Sequence, residues 1–227
     1  MARPLQQRTV GIIHATHLTI RAMQPYIDRY IPEVSIMHLA DDTIQRDNIR
    51  AGVGVIPKVN YLKFAQYAHN MEGAEVDMIL LACSTFNYAA ELARPMINIP
   101  IAQIDRPMYE LAVSQFKNIG LLATLATTVP SSERLLRICA NEKHREINVT
   151  TVLCEEAFAA WSKGDAATHN AILIKEVEKL SLSVDCIVMA QLSMSALAPL
   201  LEGRKVPVFN SGETGLARVR DMLLAMD

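Results

Sequence analysis

The chain has 227 residues, of which 51% are hydrophobic, and a formal net charge of −2 at pH 7. This hydrophobic fraction is enough to build a sizeable core and excludes an intrinsically disordered chain. The nearly neutral charge, with no basic cluster longer than Arg204-Lys205, argues against a nucleic-acid-binding protein.

Residues 1–8 lack the apolar core of a signal peptide, and no apolar run approaches the roughly 20 residues of a membrane span. We therefore expect a cytoplasmic protein that does not interact with membranes. The four cysteines, Cys83, Cys139, Cys154 and Cys186, are scattered without a CxxC pair. This spacing predicts neither a disulfide framework nor a metal site.

Short, almost continuously apolar runs predict eight strands, a pattern typical of parallel strands that are covered on both faces. The predicted strands span residues 9–15, 34–40, 76–82, 97–103, 118–123, 149–154, 185–190 and 206–209. Helices are predicted between them at residues 18–31, 57–72, 105–116, 130–142, 166–182 and 213–226. This alternation indicates an α/β fold with two doubly wound units of four parallel strands each.

The second half of the chain repeats the first. Asp-Met-Ile-Leu-Leu-Ala-Cys-Ser-Thr at residues 77–85 corresponds to Asp-Cys-Ile-Val-Met-Ala-Gln-Leu-Ser at residues 185–193, 108 residues later. Two further pairs of blocks recur at nearly the same spacing: residues 11–16 with 120–125, and residues 99–101 with 206–208. This period is too long for a solenoid, so the repeat predicts two halves related by a pseudo-twofold axis.

The repeat also predicts the domain organisation. We assign the first α/β half to residues 1–107 and the second to residues 108–210. The C-terminal helix, residues 211–227, is expected to pack back on the first half. Since no Pro/Gly/Ser-rich linker separates the halves, a hinge is expected near residues 105–107.

Cys83 follows a predicted strand directly, at the sheet edge where open parallel sheets bind ligands. The next residues, 84–93, are predicted to form a helix whose positive N-terminus would stabilise a thiolate and lower the pKa of Cys83. We therefore predict that Cys83 is a base or a nucleophile. The alternative is an inert core cysteine, which is the more usual role of an intracellular thiol.

Hydroxyl groups follow the predicted strands at the same edge. They belong to Ser84, Thr85, Thr124, Thr127 and Thr128. Together with backbone N–H groups, they would bind a substrate carboxylate and the enediolate that forms when its α-proton leaves. Each could instead be a capping residue at a turn. Asn87 is a further candidate donor.

The basic side chains leave several possibilities open. His14, at the end of the first strand, is expected to face the cleft and to orient the substrate or relay a proton. Lys163 could hold a distal substrate carboxylate or be an exposed loop residue, and Arg46 and Arg50 are alternatives for that role. The histidines expected on solvated helix faces are His69, His144 and His169.

Three features together resemble the aspartate/glutamate/hydantoin racemase superfamily over essentially the whole chain. They are Ala-Cys-Ser-Thr at residues 82–85, its repeat in the second half, and Gly-Leu-Leu-Ala-Thr-Leu-Ala-Thr-Thr at residues 120–128. The resemblance implies an enzyme that uses no cofactor and no metal and acts on a small carboxylate or cyclic imide. It also implies a homodimer and two cysteines on opposite faces of the substrate α-carbon.

In this resemblance Cys83 matches the first cysteine, whereas Gln191 stands at the place of the second. An amide neither gives nor accepts a proton near pH 7, and nearby Ser193, a candidate for substrate binding, would need an activating base. We therefore expect an isomerase of this type with Cys83 as its acid/base, and with Cys83 and Gln191 facing each other across a cleft. The alternatives are a one-base decarboxylase resembling arylmalonate decarboxylase, or a carboxylate-binding protein without turnover.

Overall fold

The computed structural model describes residues 3–226. The first predicted half begins at residue 1 and the predicted C-terminal helix ends at residue 227, so residues 1, 2 and 227 of these predictions lie outside the described range. Within that range, no helix is both long enough and apolar enough to cross a membrane.

Strands and helices alternate along the described residues. The strands are β1 (Thr9–His14), β2 (Ser35–Ala40), β3 (Met78–Leu81), β4 (Ile101–Gln103), β5 (Asn118–Ala123), β6 (Asn148–Leu153), β7 (Cys186–Met189) and β8 (Val208–Asn210). The α-helices are α1 (Leu18–Tyr30), α2 (Asp42–Ala51), α3 (Lys58–Gly73), α4 (Tyr88–Ala93), α5 (Arg106–Gln115), α6 (Val129–Glu142), α7 (Glu155–Ser162), α8 (Ala166–Leu180) and α9 (Ser211–Leu224). Short 3₁₀ helices lie at Leu5–Gln7, Arg94–Met96, Ala126–Thr128 and Leu192–Leu200.

The strands form two four-stranded parallel sheets with the orders β2-β1-β3-β4 and β6-β5-β7-β8. The predicted fold class is therefore confirmed, and each predicted strand overlaps an observed one. Helix α2 was not among the predicted helices, because it is mostly polar and buries only Ile44 and Asn48. Helix α7 was not predicted either.

The repeated aspartates explain why the same block occurs in both halves. Asp77 Oδ2 accepts a hydrogen bond from the Thr9 backbone N–H at 2.7 Å. Asp185 Oδ2 accepts one from the Asn118 N–H at 2.8 Å. Each carboxylate thus connects the residue before one central strand with the first residue of the neighbouring central strand. The repeated sequence therefore joins two strands in the same way in each half.

The repeated glycines have an equally local reason. A Cβ on Gly11 would lie 2.9 Å from Met71 Sδ of α3, and a Cβ on Gly120 would lie 2.6 Å from Leu180 Cδ2 of α8. Contacts this short do not occur between real side chains. In each half, therefore, a crossover helix packs directly on the backbone of the central strand.

The two halves are joined around the carboxyl ends of their strands. The Ser131 hydroxyl donates to the Ser84 carbonyl at 2.9 Å, and the Tyr26 hydroxyl donates to the Ser195 carbonyl at 2.6 Å. Helix α9 packs against both α1 and α5. The expected hinge, residues 105–107, opens α5, where Asp105 is fully buried.

Candidate active site

A cavity lies between the two halves at the carboxyl ends of the strands. Its wall contains residues that follow β1, β3, β4, β5 and β7, together with residues of α1, α2 and α7. Seven of the predicted site residues line it: Cys83, Ser84, Thr85, Thr127, Thr128, Gln191 and Ser193. The strand ends of both halves therefore contribute to one site.

Cys83 is partly exposed to this cavity. Burial of the sulfur raises the pKa of Cys83 to about 12, and it outweighs the backbone hydrogen bonds from Phe86 and Thr85, which lower it. The prediction of a low pKa is wrong, because burial outweighs these N–H groups. They belong to a turn at residues 84–87, and helix α4 begins only at residue 88. At neutral pH the side chain of Cys83 is a thiol.

Gln191 is held by Thr124, which follows the neighbouring strand β5 of the same sheet. Its Oε1 accepts hydrogen bonds from the Thr124 backbone N–H at 2.6 Å and from the Thr124 hydroxyl at 3.1 Å. Thr124, also a predicted site residue, is buried behind the wall and fixes this amide. Because the carbonyl end is occupied, the NH₂ group is the end of Gln191 that can donate to a ligand.

The two loops that follow β3 and β5 hold each other in place. The hydroxyls of Thr85 and Thr128 are hydrogen-bonded at 2.8 Å. The Asn87 side-chain amide donates to the Ser131 carbonyl at 3.3 Å. Asn87 thus links the halves and is itself buried.

His14 lies behind the cavity wall and is completely buried, contrary to the expectation that it faces the cleft. The Thr19 hydroxyl donates to the Thr16 carbonyl, so it accepts from His14 Nδ1–H at 2.7 Å. His14 Nε2 then accepts from His38 Nδ1–H at 2.9 Å. Burial, followed by the nearby His38, lowers the pKa of His14 to about 3. A neutral His14 therefore reaches the cavity only through Thr19.

The candidate cations do not line the cavity. Lys163 is exposed in the turn that ends α7, Arg46 is exposed and paired with Asp47, and Arg50 is exposed. Within the described residues, no charged side chain lines the cavity. Nor does any group of three His, Cys, Asp or Glu side chains in this range form a potential metal site.

Several lining residues were not predicted. Those with polar side chains are Thr16, Thr19, Gln45 and Asn48, from the β1–α1 loop and from α1 and α2. Helix α7 adds the apolar rings of Phe158 and Trp161. His169 packs on Trp161 with ring centroids 5.2 Å apart and is buried, so the prediction that it is solvated is wrong. The missed helices account for most of these omissions.

Asp105 is another residue that the sequence pattern did not reveal. It follows β4 at the same edge as Cys83 and is fully buried. Burial raises the pKa of Asp105 to about 7, although the hydroxyls of Ser84 and Ser211 lower it. Its position two residues after the predicted strand 97–103 is the sequence feature that could have identified it as a candidate site residue.

Residues 14–219 match the family model of the Asp/Glu/hydantoin racemases. The chain belongs to this family. A glutamate racemase of Persephonella marina is 31% identical over 112 residues, a match that covers 48% of this chain and 41% of that protein. The matched segment thus spans less than half of that relative.

Solved racemase-family structures share the fold across nearly the whole chain. An aspartate racemase homologue from Pyrococcus horikoshii has a TM-score of 0.71 and 16% identity, with 96% of this chain and 100% of that chain covered. A glutamate racemase from Francisella tularensis also has a TM-score of 0.71, with 15% identity and coverage of 97% and 82%. On this racemase-type fold, the present chain has one thiol and one amide at equivalent strand ends, both lining the same cavity.

Proposed function

We propose that the chain is a cofactor-independent enzyme of the racemase family that removes and returns a proton on one face of a carbon α to a carboxylate or an imide carbonyl, with Cys83 as the acid/base. The observation that carries this proposal is the shared cavity, in which Cys83 and Gln191 occupy equivalent strand ends of the two halves. An acid/base at one strand end and a hydrogen-bond donor at the other would enclose a substrate α-carbon.

The chemistry follows from the groups at the wall. When the thiolate form of Cys83 takes the α-proton, an S–H bond forms and the C–H electron pair moves into an enediolate or enolate. Donors fixed in the cavity would stabilise the negative charge that develops on the oxygen. Suitable donors are the hydroxyls of Ser84 and Thr128 and the amide NH₂ of Gln191, because all three residues line the cavity.

The uncharged wall suggests the substrate class. A free amino dicarboxylate would bring an ammonium group and two carboxylates into a cavity where no described side chain can pair with them, and unpaired buried charge is costly. The rings and aliphatic chains of Ile49, Leu125, Phe158 and Trp161 suit an apolar substituent. We propose a 5-substituted hydantoin or an α-substituted monocarboxylate in preference to aspartate or glutamate.

Proton exchange in deuterated water tests this proposal. Each enantiomer of a 5-substituted hydantoin, an α-substituted monocarboxylate, aspartate and glutamate is incubated with the full chain, and deuterium incorporation and optical purity are followed together. We expect one enantiomer of an apolar substrate to exchange without appreciable racemization. Faster exchange of aspartate or glutamate would refute the proposed substrate class, and rapid racemization that persists in Cys83→Ala would refute the one-base mechanism.

A one-base decarboxylase is a second candidate, favoured by the thiol state of Cys83. If CO₂ leaves a disubstituted malonate, the C–C electron pair forms an enediolate, and the thiol then gives its proton to the α-carbon. Release of CO₂ with delivery of a proton to one face would support this candidate. A protein that only binds carboxylates would show neither exchange nor CO₂ release, although a bound acid would protect Cys83 from iodoacetamide.

We also propose a cytoplasmic homodimer. Exposed apolar side chains from α3 and from the region of α4 line one surface groove: Leu62, Leu92 and Met96. A contiguous exposed apolar surface is typical of a protein–protein interface. Light scattering should give twice the 25.1 kDa mass of the chain, and Leu62→Glu should shift the protein toward the monomer. A monomeric wild type at micromolar concentration would refute the dimer.

A further inference from the structure

Asn48 of α2 lines the cavity, and its side-chain NH₂ group is unpaired. Asn48 is buried in the wall, and its Nδ2 atom has no hydrogen-bond partner among the described residues. Its Oδ1 atom accepts a hydrogen bond from Asn60 Nδ2 at 2.8 Å. Native proteins rarely leave a buried donor unpaired, so this NH₂ group needs an acceptor that the described part of the chain does not supply.

The orientation of the Asn48 amide is set by Asn60. Asn60 lies in α3, is completely buried, and also donates from Nδ2 to the Ile44 carbonyl at 3.2 Å. Rotation of the Asn60 amide by 180° would place its oxygen against that carbonyl oxygen, so the NH₂ group of Asn60 has to face α2. Asn48 must therefore turn its own oxygen toward Asn60, which does not line the cavity. The NH₂ end of Asn48 is left for a ligand.

The neighbouring polar groups of this wall indicate an uncharged ligand group. The Thr16 hydroxyl donates to Asp42 at 2.9 Å, and the Thr19 hydroxyl donates to the Thr16 carbonyl at 2.8 Å. Gln45 precedes Asn48 by three residues, so both amides lie on the same face of α2, and both line the cavity. A second carboxylate would find no charged partner among the described lining residues, and unpaired buried charge is costly. The wall therefore suits a neutral carbonyl oxygen.

The place of α2 in the fold indicates which part of a ligand Asn48 would reach. The first sheet has the order β2-β1-β3-β4, Cys83 follows β3, and α2 follows β2. Since neighbouring strands are about 4.8 Å apart, the ends of β2 and β3 lie roughly 10 Å from each other. A ligand whose reacting carbon lies at Cys83 would thus present its opposite side to α2. In a 5-substituted hydantoin, the C4 carbonyl adjoins the reacting carbon and takes the enolate charge, whereas the C2 carbonyl is more distant.

We propose that Asn48 is a specificity-determining residue whose NH₂ group donates to the C2 carbonyl oxygen of a 5-substituted hydantoin. This inference rests on the proposed function and narrows its substrate class, because an α-substituted monocarboxylate has no such distal carbonyl group. The hydrogen bonds from Asn60 to Ile44 and to Asn48 hold the amide in one orientation before a ligand arrives. Little conformational entropy of this side chain is therefore lost on binding.

Two ligands that differ in a single atom test this donor. The affinities of 5-benzylhydantoin and 5-benzyl-2-thiohydantoin, in which sulfur replaces the C2 oxygen, are measured with the full chain by isothermal titration calorimetry. Because sulfur is a weaker acceptor than oxygen, the wild type should bind the hydantoin about tenfold more tightly. Asn48→Leu removes the donor. In this variant the affinity for the hydantoin should fall about tenfold, and the two ligands should bind about equally.

A second variant and a control separate this effect from a general disturbance of the wall. Asn48→Asp keeps an oxygen for the hydrogen bond from Asn60 but puts a second oxygen in place of the NH₂ group, so it should weaken hydantoin binding more than tenfold. Asn141→Leu changes an exposed asparagine of α6 and should keep the wild-type preference. Equal affinity of the wild type for both ligands would overturn the inference, even if neither Asn48 variant folded. A tenfold preference that persists in Asn48→Leu would overturn it as well.

Proton exchange in deuterated water distinguishes this inference from the proposed function. Hydantoin binding that depends on Asn48 but is accompanied by no exchange would support the donor role of Asn48 and refute the proposed function. Exchange of an α-substituted monocarboxylate that depends on Cys83, in a chain that binds neither hydantoin, would support the proposed function and overturn the inference.

Discussion

The two halves of the molecule are alike where they build sheets and different where they face the cavity. Asp77 and Asp185 make the same hydrogen bond between strands, and Gly11 and Gly120 admit a helix at the same place. These residues have few alternatives, because each satisfies a backbone group or a close packing contact. The duplicated positions therefore carry the fold.

The carboxyl ends of the strands are free of these requirements. There Cys83 is replaced by Gln191. Gln103 pairs with Leu81 at the end of β4 as Asn210 pairs with Met189 at the end of β8, so the buried Asp105 corresponds to Gly212 two residues later. A residue that faces a cavity can change without disturbing the core, which is how a single fold supports different chemistry. In the proposed function, the first half would hold the acid/base thiol, whereas the second half would supply a hydrogen-bond donor.

Among the substitutions considered, removal of the Cys83 thiol should cause the largest loss of activity. In Cys83→Ala, α-proton exchange should fall about 10³-fold, because the acid/base at the reacting carbon is lost. Exchange is measured by mass spectrometry in deuterated water. Cys154→Ala, which changes a buried cysteine of the second half, should keep most of the activity. Equal losses in both variants would mean that the two halves do not differ in this way.

The buried carboxyl group should make the first half sensitive to pH. The folded pKa of Asp105, about 7, lies above the value of about 3.9 for an unfolded chain, so the folded state loses stability as the pH rises from 4 to 7. Asp105→Asn removes this loss. We expect the variant to be more stable than the wild type by about 4 kcal/mol at pH 8 and nearly equally stable near pH 4. Urea unfolding at both pH values checks this, and a constant difference would contradict it.

The equivalent aspartates should differ in their contribution to stability. The side chain of Asp77 is only 8% exposed and is paired with the buried Arg8 at 3.1 Å, whereas Asp185 is exposed. Asp77→Ala leaves the guanidinium of Arg8 without its carboxylate partner and should cost about 3 kcal/mol, whereas Asp185→Ala should cost about 1 kcal/mol. Denaturant unfolding of the two variants measures the difference. Equal costs would show that the ion pair adds nothing to the shared hydrogen bond.

The equivalent glycines should differ less. An added Cβ meets the branched Leu180 at Gly120 but the flexible Met71 at Gly11. We expect Gly120→Ala to destabilise by about 2 kcal/mol and Gly11→Ala by about 1 kcal/mol. Gly73→Ala, at the end of α3 with open space around its Cβ, is the control and should be neutral or slightly stabilising in thermal unfolding. A costly Gly73→Ala would point to a general effect of the substitution.

Restoring a thiol to the second half should have the smallest effect. Gln191→Cys should add some racemization to one-face exchange, because it places a titratable group at the equivalent strand end. The gain in racemization is limited, since a cysteine loses the hydrogen bonds that Thr124 donates to the Gln191 side chain. The second half also has no carboxyl group at the position of Asp105, because Gly212 stands there. Chiral chromatography of the recovered substrate measures it. Gln191→Ser should show no racemization, and the same result for Gln191→Cys would argue against two facing strand ends.

The sequence by itself determined the fold and most of the strand-end residues. Continuous apolar runs predict buried parallel strands, and the repeated blocks predict two equivalent sheets, because both signals depend on neighbours close along the chain. Cys83, Gln191 and the hydroxyls after β3 and β5 could be placed at one edge for the same reason. Helix α2 is mostly polar and buries only Ile44 and Asn48, and α7 spans only eight residues, so neither helix was predicted and their lining residues were missed.

Only the tertiary structure decided the chemical state of the site. The raised pKa values of Cys83 and Asp105 and the lowered pKa of His14 result from burial by elements distant in sequence. The Gln191 amide is oriented by Thr124, 67 residues away along the chain. Desolvation and hydrogen bonding depend on what surrounds a group in three dimensions, and a local sequence pattern carries no record of those surroundings.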